Sequence, residues 1–236
     1  MSKKLLELRK KIKELASPDV SKTLQWFFKT GQGDYGEGDV FAGLKVPIQR
    51  KLAREFKDLV LTDLKVLLNS SVHEERLIAL FILVERYGKG NGQEKAEFFS
   101  FYMKNRKGIN NWDLVDLSAP KIVGKHLLNK DKSLLYKFAS SKNLWERRIA
   151  VLSTYEFIRN DDFETTLKVA EILLEDKHDL IHKAVGWMLR EIGKRDLQTE
   201  EKFLMKHHKK MPRTMLRYAI EKFPESKRKK YLQGKI

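Results

Sequence analysis

Three stretches of this chain are versions of one another, and that repetition limits its possible folds more than any other feature. SSVHEERLIALFILVERY (70–87), KNLWERRIAVLSTYEFIR (142–159) and KHDLIHKAVGWMLREIGK (177–194) each open polar and continue with apolar residues at helical spacing. Aligned on Val72, Leu144 and Leu180, they lie 72 and then 36 residues apart (144 − 72 and 180 − 144). A recurrence of that length holds two helices and their turns. The same periodicity begins at the N-terminus, where Leu5, Leu8, Ile12 and Leu15 share a helix face that Ser17-Pro18 ends. Ser71-Val72-His73-Glu74 has the pattern of a capping box. Pro47, Pro120 and Pro212 each stand where a helix could begin, the position at which a missing N–H costs least. Neither a strand pattern nor a two-residue hairpin turn is visible.

One such unit cannot bury its apolar face alone, so neighbours must stack. The expected fold is therefore all-α: an α-solenoid of HEAT-like helical repeats, about six units long, forming one domain over residues 1–236. One helix face per unit would be left to line a concave surface. Counting 36 residues back from Arg148 reaches Trp112, and 36 forward reaches Ala184. These positions are expected at one height on successive helices. Asp116 follows Trp112 by four residues and Trp187 follows Ala184 by three, so each shares its neighbour's face. Trp112, Asp116, Arg148 and Trp187 are thus expected to converge on one patch. The competing reading buries both tryptophans as core between repeats.

Charge suggests the partner. Lys and Arg total 48 against 32 Asp and Glu, a net charge of +16, which favours a polyanion: nucleic acid first, an anionic membrane second. Thiolate metal sites, disulfides and cysteine nucleophiles are excluded, because the chain has no cysteine. Its opening, MSKKLLELRKKIKEL, is charged throughout and unlike a signal peptide. No run of 18 apolar residues occurs, and the expected location is the cytoplasm.

Other motifs lose on context. GQGDYGEGDVFAG (31–43) contains GxGxxG, but no preceding strand is visible, and Asp34, Glu37 and Asp39 would repel a phosphate; a long loop is expected. His178 and His182 are spaced like paired metal ligands but lack a clear third, so no metal is expected. The C-terminal segments KHHKKMPRTMLR (206–217) and SKRKKYL (226–232) are basic, and Arg213 and Arg217 are candidates for phosphate contact.

With these residues in hand, the chain resembles the bacterial DNA alkylation repair family of HEAT-like-repeat glycosylases, the AlkD type. The likeness is carried by NNWDLVDLSAP (110–120), LWERR (144–148), KAVGWMLRE (183–191) and QWFFKTGQGDYGEGDVFAGLKVPIQRKLA (25–53). Its most specific part is WDxVD, filled by Trp112, Asp113, Val115 and Asp116. The resemblance implies that Asp116 is the catalytic aspartate and that Trp112 and Trp187 flank the lesion nucleotide. It implies that Arg148 contacts the DNA backbone and that either Trp26 or Phe27 lies near DNA. It also implies base excision repair of alkylated duplex DNA by a monomer without a cofactor.

The chemistry suits one carboxylate. A 3-methyladenine or 7-methylguanine base already carries positive charge and leaves without protonation, whereas neutral leaving groups on sugars normally need two carboxylates. Asp116 would stabilise the positive charge developing on the deoxyribose and position water, with the tryptophans presenting negative ring faces. The alternatives are a non-catalytic module that binds damaged or branched DNA, which would not need Asp116, and a protein-interaction scaffold.

Overall fold

Helices fill most of the computed structural model, which describes residues 1–236. Its one extended pairing is a single bridge between Val40 and Val72. The all-α class expected from periodicity is the class observed. The helices group into two compact units, Met1–Ser118 and Ala119–Ile236.

The first unit contains α1 (Lys3–Glu14), α2 (Pro18–Phe27), α3 (Val46–Glu55), α4 (Leu61–Leu68), α5 (His73–Lys89), α6 (Gly92–Lys104) and all but the last residue of α7 (Trp112–Ala119). Ser17 both separates α1 from α2 and caps α2, with Pro18 at its first position. Helix α5 is the core: every residue from His73 to Leu83 is buried, and α3, α4 and α6 pack around it. Arg9 docks α1 onto α5 through both oxygens of Glu75, at 3.0 and 2.8 Å.

The capping box expected at residues 71–74 does not form. Val72 occupies the cap position without a side-chain bond. Glu74 turns instead to the loop before α3 and accepts N–H bonds from Ala42, Gly43 and Leu44 at 2.9, 2.8 and 3.1 Å. A capping box does open α6, between Asn91 and Glu94.

In the second unit, Pro120 has no N–H to offer the carbonyl of Asp116 four residues earlier, and the chain widens into a π turn over Pro120–Gly124. There follow α8 (Lys125–Leu127), α9 (Ser133–Ala139), α10 (Leu144–Arg159), α11 (Glu164–Ile172), α12 (Asp179–Gly193), α13 (Leu197–His207), α14 (Arg213–Ala219) and α15 (Glu225–Leu232). Helix α10 packs on α9, α11 and α12, and α12 on α13 and α14. At Gly186 the α12 backbone lies against α14: a Cβ there would sit 2.4 Å from the Met215 carbonyl oxygen.

The repeat holds at the helix starts but not within the helices. Helices α5, α10 and α12 begin at His73, Leu144 and Asp179, offsets of 71 and 35 residues (144 − 73 and 179 − 144). Trp112, however, is the first residue of α7, whereas Arg148 is the fifth of α10 and Ala184 the sixth of α12. A step of 36 residues therefore does not lead to the same turn of each helix, because the loops between repeats differ in length.

One buried acid makes a stability prediction. Glu200 of α13 lies against the Gly193 backbone, and its Oε1 is buried without a hydrogen bond. Burial first, and then the neighbouring Glu201, push its pKa up to about 8 against the pull of Arg190. Because the folded state favours the proton, stability falls as pH rises from 4.5 through about 8. Glu200→Gln keeps the shape and removes the ionisation. Its melting temperature should exceed that of the wild type by several degrees near pH ~8.5 and converge with it near pH ~5. A constant difference across that range would mean that Glu200 does not titrate there.

Candidate active site

The motif WDLVD forms the first turns of α7 and places its two acids in opposite environments. Asn111 accepts the Trp112 N–H at 2.8 Å, and its own amide donates to Asp39 at 3.0 Å. Asp113 is buried, with one oxygen on the Leu114 N–H at 2.8 Å and the other 2.9 Å from Nε2 of His73. Leu114 and Val115 are fully buried. Trp112 and Asp116 are half-exposed and lie one turn apart on the same face. Beneath them, the buried Tyr102 hydroxyl lies 3.0 Å from Ser118 Oγ. Burial first raises the Tyr102 pKa; the Ser118 bond opposes this, and the nearby charge of Asp116 adds to it.

The segment Trp26-Phe27-Phe28 supplies an aromatic wall. Phe28 is buried and stacks on Trp112 with centroids 5.1 Å apart and planes 11° off parallel. Phe27 is 54% exposed and meets Trp112 edge-on at 5.9 Å. Trp26 is 82% exposed and borders an open hollow that Lys22, Gln25 and Lys29 also line. Of the two aromatics left open by the sequence, Phe27 is the one against Trp112.

Under this wall lies a buried polar cluster that sequence reasoning missed. His73 places Nδ1 3.0 Å from Asp39 and Nε2 2.9 Å from Asp113. Asp39 also accepts from Arg76 at 2.6 Å. Burial alone would raise the Asp39 pKa, but the His73 bond, the Arg76 charge and the Asn111 bond together lower it. Burial likewise disfavours charged His73, yet the bond and charge of Asp113 and the bond of Asp39 raise its pKa to about 9. The resulting stability is fully present below pH 6.5 and is lost as pH rises through about 9.

The second unit holds the other expected residues. Trp187 of α12 is half-exposed, its N–H donates to Glu191 at 3.0 Å, and Tyr155 of α10 lies 6.2 Å away ring to ring. Tyr155 and Glu191 carried no sequence signal. Arg148, expected to hold a phosphate, is only 5% exposed, and its Nη1 donates to the Leu180 carbonyl at 2.6 Å. Its neighbour Arg147 pairs with Asp176 at 2.6 Å. Arg213 and Arg217 are exposed on α14, Arg213 donating to the Leu232 carbonyl at 2.8 Å. His178 caps the Leu180 N–H, and His182 lies on the Asp176 carbonyl. No group of three or more His, Asp or Glu side chains is arranged to hold a metal ion. No helix is long and apolar enough to cross a membrane.

Comparison with known proteins gives the family. A solved structure described as a predicted DNA alkylation repair enzyme from Enterococcus faecalis is similar over 89% of this chain and 97% of its own, with a TM-score of 0.70 and 17% identity. At that identity the likeness shows the fold alone. No curated protein matches the chain. The model of the family described as DNA alkylation repair enzyme matches residues 8–223, nearly the whole length. The chain therefore belongs to the DNA alkylation repair enzyme family, and its role lies in the repair of alkylation damage.

Proposed function

We propose that the protein is a DNA glycosylase that hydrolyses the N-glycosidic bond of cationic alkylated purines, such as 3-methyladenine and 7-methylguanine, in duplex DNA. The observation that carries this reading is the asymmetry of the two aspartates. Asp113 is buried on His73, while Asp116 reaches the surface one turn below the half-exposed Trp112.

The leaving base is already cationic, so the enzyme needs no acid to protonate it. What remains is to stabilise the sugar as it becomes electron-poor and to direct water to it, and Asp116 takes both tasks. Trp112, extended by Phe27, presents ring faces to the cationic nucleotide, and the half-exposed Trp187 of α12 is a second aromatic available to DNA. Arg213 and Arg217 are the phosphate contacts. The buried Arg148 is assigned to joining α10 to α12 through Leu180. The working form is a monomer.

Incubation of the purified protein with methylated duplex DNA tests this directly. Free 3-methyladenine or 7-methylguanine is the expected product, and intact methylated DNA after exhaustive incubation would remove the proposal. Binding should also depend steeply on salt. With six to ten phosphate contacts, affinity falls by about a thousandfold or more between ~50 and ~200 mM salt. A nearly flat salt dependence would exclude a binding surface built on phosphate contacts.

A further inference from the structure

We propose that His73 is a positioning residue for this site: clamped between Asp39 and Asp113 at the foot of an aromatic column, it sets the first turn of α7 and so the placement of Trp112 and Asp116. The inference rests on the glycosylase reading above.

Two independent sets of contacts lead from His73 to the working face. The first is polar. Both ring nitrogens face carboxylates, at 3.0 and 2.9 Å, so both must donate, and the ring is an imidazolium that cannot rotate without losing a bond. Asp113 is the residue after Trp112 and lies three before Asp116. Asp39 reaches the same turn a second time through Asn111. The second set is aromatic. The imidazole stacks on Phe41 at 4.6 Å, Phe41 on Phe28 at 5.0 Å, and Phe28 on Trp112 at 5.1 Å. One buried group thus holds the helix start from below and the Trp112 ring from the side.

The charged neighbours balance. Asp39 comes from the loop between α2 and α3, Asp113 from α7, and Arg76 from α5 itself, its Nη2 lying 3.4 Å from His73 Nδ1. Glu74, also on α5, is turned away onto the amides of residues 42–44. Two carboxylates face two cations, and losing the imidazolium proton leaves one buried negative charge uncompensated. A cluster of this kind is rarely the most stabilising filling for a core. Its place at the foot of the aromatic column that ends on Trp112 accounts for it as a device of alignment.

The test compares the full-length wild type with Asp113→Asn and His73→Gln. Both variants are expected to fold, by far-ultraviolet circular dichroism, and to bind duplex DNA within about threefold of wild type. Their single-turnover release of methylated bases at neutral pH should fall by roughly tenfold or more. In Asp113→Asn the loss should also depend on pH: with the partner charge gone, the alkaline limb of the rate profile moves toward neutrality. Unchanged rates, or a loss equal at every pH, would overturn the proposal.

A readout independent of catalysis and of the variants' folding is the nitrogen resonances of His73 in the wild type. A doubly protonated, slowly exchanging ring at pH ~7.5 is expected, and a neutral ring there would overturn the inference. If the wild type releases no base, the glycosylase reading falls. The near-ultraviolet signal of the Trp112 stack, expected to weaken in both variants, and the His73 resonances then decide the alignment by themselves.

Discussion

Replacing Asp116 by asparagine lowers single-turnover release of methylated bases by about a hundredfold or more, while affinity for duplex DNA holds or rises. The expectation follows from charge. A carboxylate about 4 Å from the developing positive charge on the sugar is worth roughly 4 kcal/mol at an effective dielectric of 20. That corresponds to close to three orders of magnitude in rate, at about 1.4 kcal/mol for each tenfold. Asparagine keeps the shape of the half-exposed Asp116, so the substitution opens no cavity and the fold should be retained. Removing a negative charge also eases the approach of phosphates. Undiminished release would take Asp116 out of the mechanism. Loss of release together with loss of binding would make it a structural residue. Retained binding with abolished release separates the enzyme from a non-catalytic reader of damaged DNA.

The largest effect on stability belongs to Gly43→Ala, expected to cost about 4 kcal/mol and to lower the melting temperature by about 10 °C. Gly43 has φ of 88°, a region that side chains rarely enter. Any Cβ there would meet the Ser17 carbonyl oxygen at 2.1 Å and the Ser21 nitrogen at 2.8 Å, both backbone atoms of the start of α2. Relief requires the loop to move, and the Gly43 N–H is one of the donors that hold buried Glu74. Gly38→Ala is the control. It shares a positive φ of 84° but has nothing within 4 Å of its would-be Cβ, so only the backbone strain remains, on the order of 1 kcal/mol. Equal melting temperatures for the two variants would refute the steric account.

Much of this was legible in the chain itself. Apolar residues at i, i+3 and i+4 mark the helices whatever they pack against, and the four-residue spacing of Trp112 and Asp116 puts them on one face by geometry alone. Other features depend on contacts that periodicity does not encode. His73 meets partners 34 and 40 residues away, and it sits in a pattern that reads equally well as a helix cap. Which of Arg147 and Arg148 turns inward is a matter of about 100° of helical rotation, and the loop lengths that set it vary between repeats. Counting by 36 therefore carried the helix starts to within a residue but not the turn within its own helix on which each residue falls. The adjacent aromatics at 26–28 posed the same difficulty: Phe28 enters the core, Phe27 lies beside Trp112 and Trp26 stays exposed.

The embrace of Glu74 by the amides of Ala42, Gly43 and Leu44 bears on how this protein can grip its substrate. Successive main-chain N–H groups in a glycine-bearing bend are nature's ready receptor for an oxyanion. Here that receptor is already plugged from within by the chain's own acid, locked at the head of the helix most deeply sunk in its unit. A nucleic-acid backbone sliding past the bend finds no vacant donors in it. On the glycosylase reading proposed above, the hold on phosphate falls instead to guanidinium groups such as those of Arg213 and Arg217 at the ends of long side chains, a grip that would loosen readily and let the protein move on along its polymer.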